Sequence, residues 1–198
     1  MAVSLAWQGP VGPGAFPGPL DDDRTAFETL CEAGVYLRIK VYDGGRIVAY
    51  VGQSVSLLPR FDQHLTSMLS LATPLRDCSG DVVFSGDAAA RFDAYGRLDE
   101  LTSLAAADVG RVRFFFALCD AYFHTEHLNL AEGLLQRRML ERLSDVENAV
   151  AAPGRLPEGC PDVWTSDFSG LDAAGAELLE SLLGRAPMRL DGVTDDAA

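Results

Sequence analysis

The chain has 198 residues, 48% of them hydrophobic, which suffices for one domain with a substantial core and excludes disorder over most of its length. A formal net charge of −13 argues against a broad polyanion-binding surface, but the excess sits on the flanks: residues 1–33 carry five acidic groups to one basic, residues 143–198 eleven to three, and residues 34–142 thirteen to twelve. No apolar run approaches the ~20 residues that cross a bilayer, and the N-terminus has neither a basic nor a continuous apolar signal region, so a cytoplasmic protein without a membrane partner is expected.

Residues 1–20 hold Gly9, Pro10, Gly12, Pro13, Gly14, Pro17, Gly18 and Pro19, a density that predicts an extended arm without regular structure. Asp21–Asp23 can cap a short helix over about 24–32, with Gly34 as its stop, which closes an N-terminal segment at residue 33. From Val35 to Tyr42 apolar residues alternate with tyrosines and bases, the period of a half-buried strand. Asp43-Gly44-Gly45 reads as a turn, and Arg46 to Gly52 as the return strand. Register matters here. A two-residue turn would put Tyr50 on the face opposite Tyr36, whereas a three-residue turn over Asp43–Gly45 would pair Arg38 with Tyr50 and bring both tyrosines to one face.

Ser54 or Ser56 can cap the next helix, Leu57 to about Leu71, whose stripe is Leu57, Leu58, Phe61, Leu65, Met68 and Leu69. Arg60 and His64, four apart, stand side by side at its edge. Residues 72–109 read as an insertion with a strand near Val82–Phe84 and a helix somewhere within 87–107. Arg111 to Leu118, with an unbroken apolar half, predicts a strand buried on both faces. A helix from near His127 to about Leu143 aligns Leu128, Leu135, Met139 and Leu143, and Glu132 falls inside that apolar arc, where a carboxylate needs a cation or a donor. After Pro153 the chain turns loop-like, with one further helix near Leu171–Leu183 in an acidic extension, residues 151–198. The four cysteines form no C-x-x-C pair, and His124 with His127 is a weak zinc signal without a third ligand.

Gly34-Val35-Tyr36, Tyr50-Val51-Gly52, Arg60 ten residues after the second tyrosine, then His64 and a helix bearing Glu132: this order of parts resembles the GIY-YIG nuclease family across about residues 34–150. The resemblance implies an α+β fold around a small mixed or antiparallel three-stranded sheet, and a DNA endonuclease dependent on Mg²⁺ or Mn²⁺, in a stand-alone or restriction-like enzyme. Tyr36 would then activate or position the attacking water, with Tyr50 beside it. Arg60 would stabilise the transition state, His64 would accept a proton from Tyr36, and Glu132 would hold the cation. Arg38, Gly52 and Asn148 are candidates for phosphate-binding or structural roles. Asn148 lacks the proline-containing turn usual before the family's asparagine and, on an unbroken helix, would point about 160° from Glu132. Two alternatives stay open: a catalytically inactive binding module of the same fold, and an unrelated α+β protein whose tyrosines only pack.

Overall fold

A computed structural model describes residues 2–13, 28–148 and 159–189. Its main element is a mixed, mostly antiparallel six-stranded sheet with helices on both faces. The strands are β1 (Ala2–Val11), β2 (Gly34–Val41), β3 (Ile47–Ser54), β6 (Val112–Leu118), β7 (Val163–Asp167) and β8 (Met188–Arg189), in the order β3-β2-β6-β1-β7-β8. All neighbours run antiparallel except β1 and β7, which are parallel. A separate two-stranded sheet pairs β4 (Leu75–Arg76) with β5 (Val82–Phe84).

Five α-helices lie wholly within the described residues: α1 (Leu57–Leu69), α2 (Ala88–Asp93), α3 (Leu98–Gly110), α4 (Leu128–Leu140) and α5 (Ala173–Leu183). One face of the sheet packs Val35, Leu37, Ile39, Ala49, Val51, Phe115 and Trp7 against α4 and α5. The other packs Tyr36, Phe114 and Phe116 against Leu57, Phe61 and Met68 of α1. The 72–109 insertion has its own small core around Leu75, Phe84, Leu101 and Ala105. No helix among the described residues is long and apolar enough to cross a membrane.

Three expectations are corrected. The sheet has six strands rather than three. Of the segment expected as an arm, residues 2–11 form β1, wedged between β6 and β7, because Val3, Leu5 and Trp7 alternate with Ala2, Ser4 and Ala6 and bury completely on one face; residues 14–20 lie outside the described residues. The segment read as loop beyond Pro153 contains β7 and β8, with Trp164 buried and its Nε1 donating to the Pro161 carbonyl at 2.9 Å. β2 also departs from a half-buried strand, since every residue from Gly34 to Lys40 is buried. The expected helix over 24–32 is described only from residue 28, with 28–30 helical; its proposed cap and the acidic end beyond Arg189 lie outside the described residues.

Candidate active site

The hairpin has the register that unites the tyrosines. Asp43–Gly45 forms the turn, with Gly44 at φ 74° and Gly45 at φ 80°, left-handed values that suit glycine. Tyr42 N–H donates to the Arg46 carbonyl at 2.8 Å, Arg38 lies opposite Tyr50, and Tyr36 opposite Gly52. Period two then puts Tyr36, Arg38, Lys40, Tyr42 and Tyr50 on one face. Gly52 has a definite function: a Cβ there would lie 2.5 Å from Cζ of Tyr36, so glycine is what lets that ring lie flat across the hairpin. Tyr36 is fully buried; its ring stacks beside Tyr50 at 6.1 Å and meets Phe61 edge-on at 5.4 Å.

Polar groups converge on the Tyr36 hydroxyl. Arg60 Nε donates to it at 3.2 Å, and His64 Nε2 lies 2.6 Å away. Arg60 Nη2 reaches the Tyr50 hydroxyl at 3.4 Å. On the far side of the imidazole, Arg38 Nη1 is 2.8 Å from His64 Nδ1. A guanidinium only donates, so Nδ1 must accept, and a neutral imidazole then carries its proton on Nε2. Tyr36 Oη therefore receives two donors, and its own proton is the one left to give.

The charge states agree with this arrangement. Burial, reinforced by the positive charges of Arg38 and Arg60, lowers the His64 pKa to about 3, so the ring is neutral near pH 7. Burial and the adjacent Tyr50 raise the pKa of Tyr36, against the lowering effect of Arg60. In the free protein Tyr36 is a neutral phenol. The expectation that His64 accepts a proton from Tyr36 is thus reversed for the resting site: His64 donates.

Glu132 stands apart from these four. It lies on α4, across the sheet from α1, where α4 runs beneath the edge strand β3; one turn earlier on that helix, Asn129 accepts from Gln53 of β3 at 3.3 Å. Burial raises its pKa while Arg60 lowers it, so the carboxylate lies within the field of Arg60 around the sheet edge. No described residue gives it a hydrogen bond or ion pair. A half-buried carboxylate without a donor fits one hard divalent cation that takes its remaining ligands from water and phosphate. His124 and His127 gain no third ligand: among the described residues there is no group of three or more His, Cys, Asp or Glu able to hold a metal, and His127 Nδ1 instead accepts from the His124 N–H at 3.2 Å.

Asn148 has a structural role. α4 stops at Leu140, and the chain returns beside β3, with Ala49 bridged to Val146 in parallel. The Asn148 carboxamide closes that edge by donating to the Val51 carbonyl at 2.6 Å and accepting from the Val51 N–H at 3.1 Å, as a strand residue would. Sequence reasoning missed the residue beside it. Glu147 pairs with Arg38 and lies 3.6 Å from Lys40 and 3.5 Å from Arg76, and these three cations hold its pKa down against burial. Asp108 was missed as well; it accepts from Tyr42 at 2.7 Å and from Lys40 at 3.1 Å in the interior. The signal was the alternation Tyr36-Arg38-Lys40-Tyr42, whose bases share a face with the tyrosines and needed buried acids opposite them.

Scans of known protein families, of curated proteins and of solved structures find no match to this chain.

Proposed function

We propose that the chain is a cytoplasmic, divalent-metal-dependent endonuclease of the GIY-YIG type that hydrolyses phosphodiester bonds of DNA. The observation carrying this reading is the convergence of Arg60 Nε and His64 Nε2 on the Tyr36 hydroxyl, with Tyr50 held beside it by the same arginine. A tyrosine that only packs needs one partner for its hydroxyl; the oxygen of this one receives two donors.

In the proposed reaction a water oxygen bonds to phosphorus as the bond to the leaving sugar oxygen breaks, and charge accumulates on the phosphoryl oxygens. Arg60, on the Tyr36 hydroxyl, would supply positive charge to it. Tyr36, its oxygen held by Arg60 and His64, positions the water, whose proton passes to solvent as its oxygen bonds to phosphorus. Glu132 would hold Mg²⁺ or Mn²⁺, which when bound supplies positive charge to the phosphate and to the ionising water. With a near-neutral core and acidic flanks in a chain of net charge −13, DNA affinity is expected to be weak and steeply dependent on salt.

The test is nicking of supercoiled plasmid at low salt in Mg²⁺ or Mn²⁺. Wild type should nick, and Glu132→Gln and Arg60→Ala should fold yet fail to nick, each losing about a hundredfold or more. A wild type that nicks no DNA form favours a binding module instead.

A further inference from the structure

A cavity of about 320 Å³ adjoins the candidate site and shares Arg38, Tyr50 and His64 with it. That volume is at the lower end for small-ligand sites, ~300–1,000 Å³. Its walls also carry Lys40, Thr73, Arg76 and Glu147. Three buried atoms on these walls have no hydrogen-bond partner: Arg38 Nε, Arg76 Nε and Thr73 Oγ1. Both arginine side chains are at least nine-tenths buried, and Arg76 Nε lies 3.5 Å from Glu147 without hydrogen-bond geometry. Buried donors left unpaired are costly, so three around one space call for an acceptor within it.

Charge narrows the choice. Arg38, Lys40 and Arg76 bring three positive charges to the wall, Glu147 brings one negative, and Asp108, buried behind Lys40 at 3.1 Å, brings another. Asp145, 3.9 Å from Arg76, and the exposed Asp81 share Arg46, at 2.8 and 2.6 Å, and none of these three lines the cavity. His64 is neutral, so the wall together with Asp108 behind it sums to one positive charge. Two arginine Nε–H groups and a hydroxyl facing a single excess charge suit a singly charged tetrahedral oxyanion better than a dianion or a metal.

We infer that this cavity is a second anion site, which takes a phosphodiester neighbouring the one to be cut through Arg38 Nε, Arg76 Nε and Thr73 Oγ1. It rests on the nuclease reading for the identity of the ligand. Arg38 would then have two roles, orienting His64 through Nη1 and gripping the strand through Nε. Occupancy would fix which phosphate reaches Tyr36.

The test titrates the full chain, without divalent cation and at low salt, with thymidylyl-thymidine, a dinucleotide with one phosphodiester, while NMR follows the arginine Nε–H resonances. The Arg38 and Arg76 signals should shift saturably. Thr73→Val, which keeps the side-chain shape, should leave the amide spectrum native-like and weaken binding about fivefold; Arg76→Gln should weaken it about tenfold or more. Unmoved Nε–H signals, or Thr73→Val and Arg76→Gln binding as well as wild type, would overturn the inference. Plasmid nicking by the same wild-type protein separates the two failures. Nicking without dinucleotide binding removes the second site alone, whereas dinucleotide binding at these arginines without nicking leaves an anion site and removes the nuclease reading.

Discussion

Arg38 Nη1 lies 2.8 Å from His64 Nδ1, and this contact determines which imidazole nitrogen faces Tyr36. Glu147 holds Arg38 in turn, so an ordered series runs from Glu147 through Arg38 and His64 to the Tyr36 hydroxyl. The imidazole should be the Nε2–H tautomer in the wild type. Nitrogen chemical shifts from histidine-labelled protein report this directly: Arg38→Ala should convert the single Nε2–H pattern into a mixture, and a wild type protonated on Nδ1 would refute the arrangement.

His64 also makes folding sensitive to acid. Its pKa falls from the ordinary 6.5 to about 3 in the folded chain, mainly through burial, so the unfolded chain binds a proton that the native one refuses. This contribution is fully present above pH 6.5 and is lost as pH falls towards 3. Relative to His64→Gln, the wild type should lose roughly 1 kcal/mol per pH unit between about pH 6 and 4, under the 1.36 kcal/mol of a full proton near pH 6, where the unfolded imidazole is only partly protonated, and close to it near pH 5. Parallel urea-unfolding curves for the two proteins across this range would contradict it.

Lys40 and Asp108 form an ion pair at 3.1 Å with both side chains almost wholly inaccessible. Removing one charge strands the other. Asp108→Ala should destabilise the fold by about 3–5 kcal/mol in denaturant melts, far more than substitution of an exposed acid such as Glu100, expected within about 0.5 kcal/mol. Equal effects at the two positions would show that the buried pair is not held as described.

At Gly52 even one methyl group is too large, since it would meet the Tyr36 ring. Gly52→Ala should cost about 1–3 kcal/mol and displace the ring from Arg60 and His64. The tyrosine fluorescence and ring NMR signals of Tyr36 should change in Gly52→Ala and not in Gly44→Asn, where the added side chain meets open space and asparagine tolerates the left-handed backbone.

The hairpin and its three-residue turn were legible because alternation and two adjacent glycines are local signals. β6, α1 and α4 were legible for the same reason, through continuous apolar character or helical period. β1 was hidden by composition: Gly9 and Pro10 dominate the reading, although Val3, Leu5 and Trp7 alternate just before them. β7 and β8 are short: β7 pairs with the far end of the chain, Ala2 with Val163, and the two-residue β8 only folds back onto β7. The Tyr36, Tyr50, Arg60 and His64 group could be named through the resemblance to the GIY-YIG order of parts, and the structure brings the four side chains together. The roles of Asp108, Glu147 and Asn148 could not, because each depends on where the chain returns after an insertion or a helix end.

The most direct measurement of the central claim is the single-turnover rate of plasmid nicking in Mg²⁺ by Tyr36→Phe beside wild type. Phenylalanine keeps the ring packed between Tyr50 and Phe61 and removes only the oxygen on which Arg60 and His64 converge. Wild type should nick, and Tyr36→Phe should be slower by about 10²–10³-fold with unchanged folding. A Tyr36→Phe protein that nicks as fast as wild type, or a wild type that does not nick at all, would contradict it.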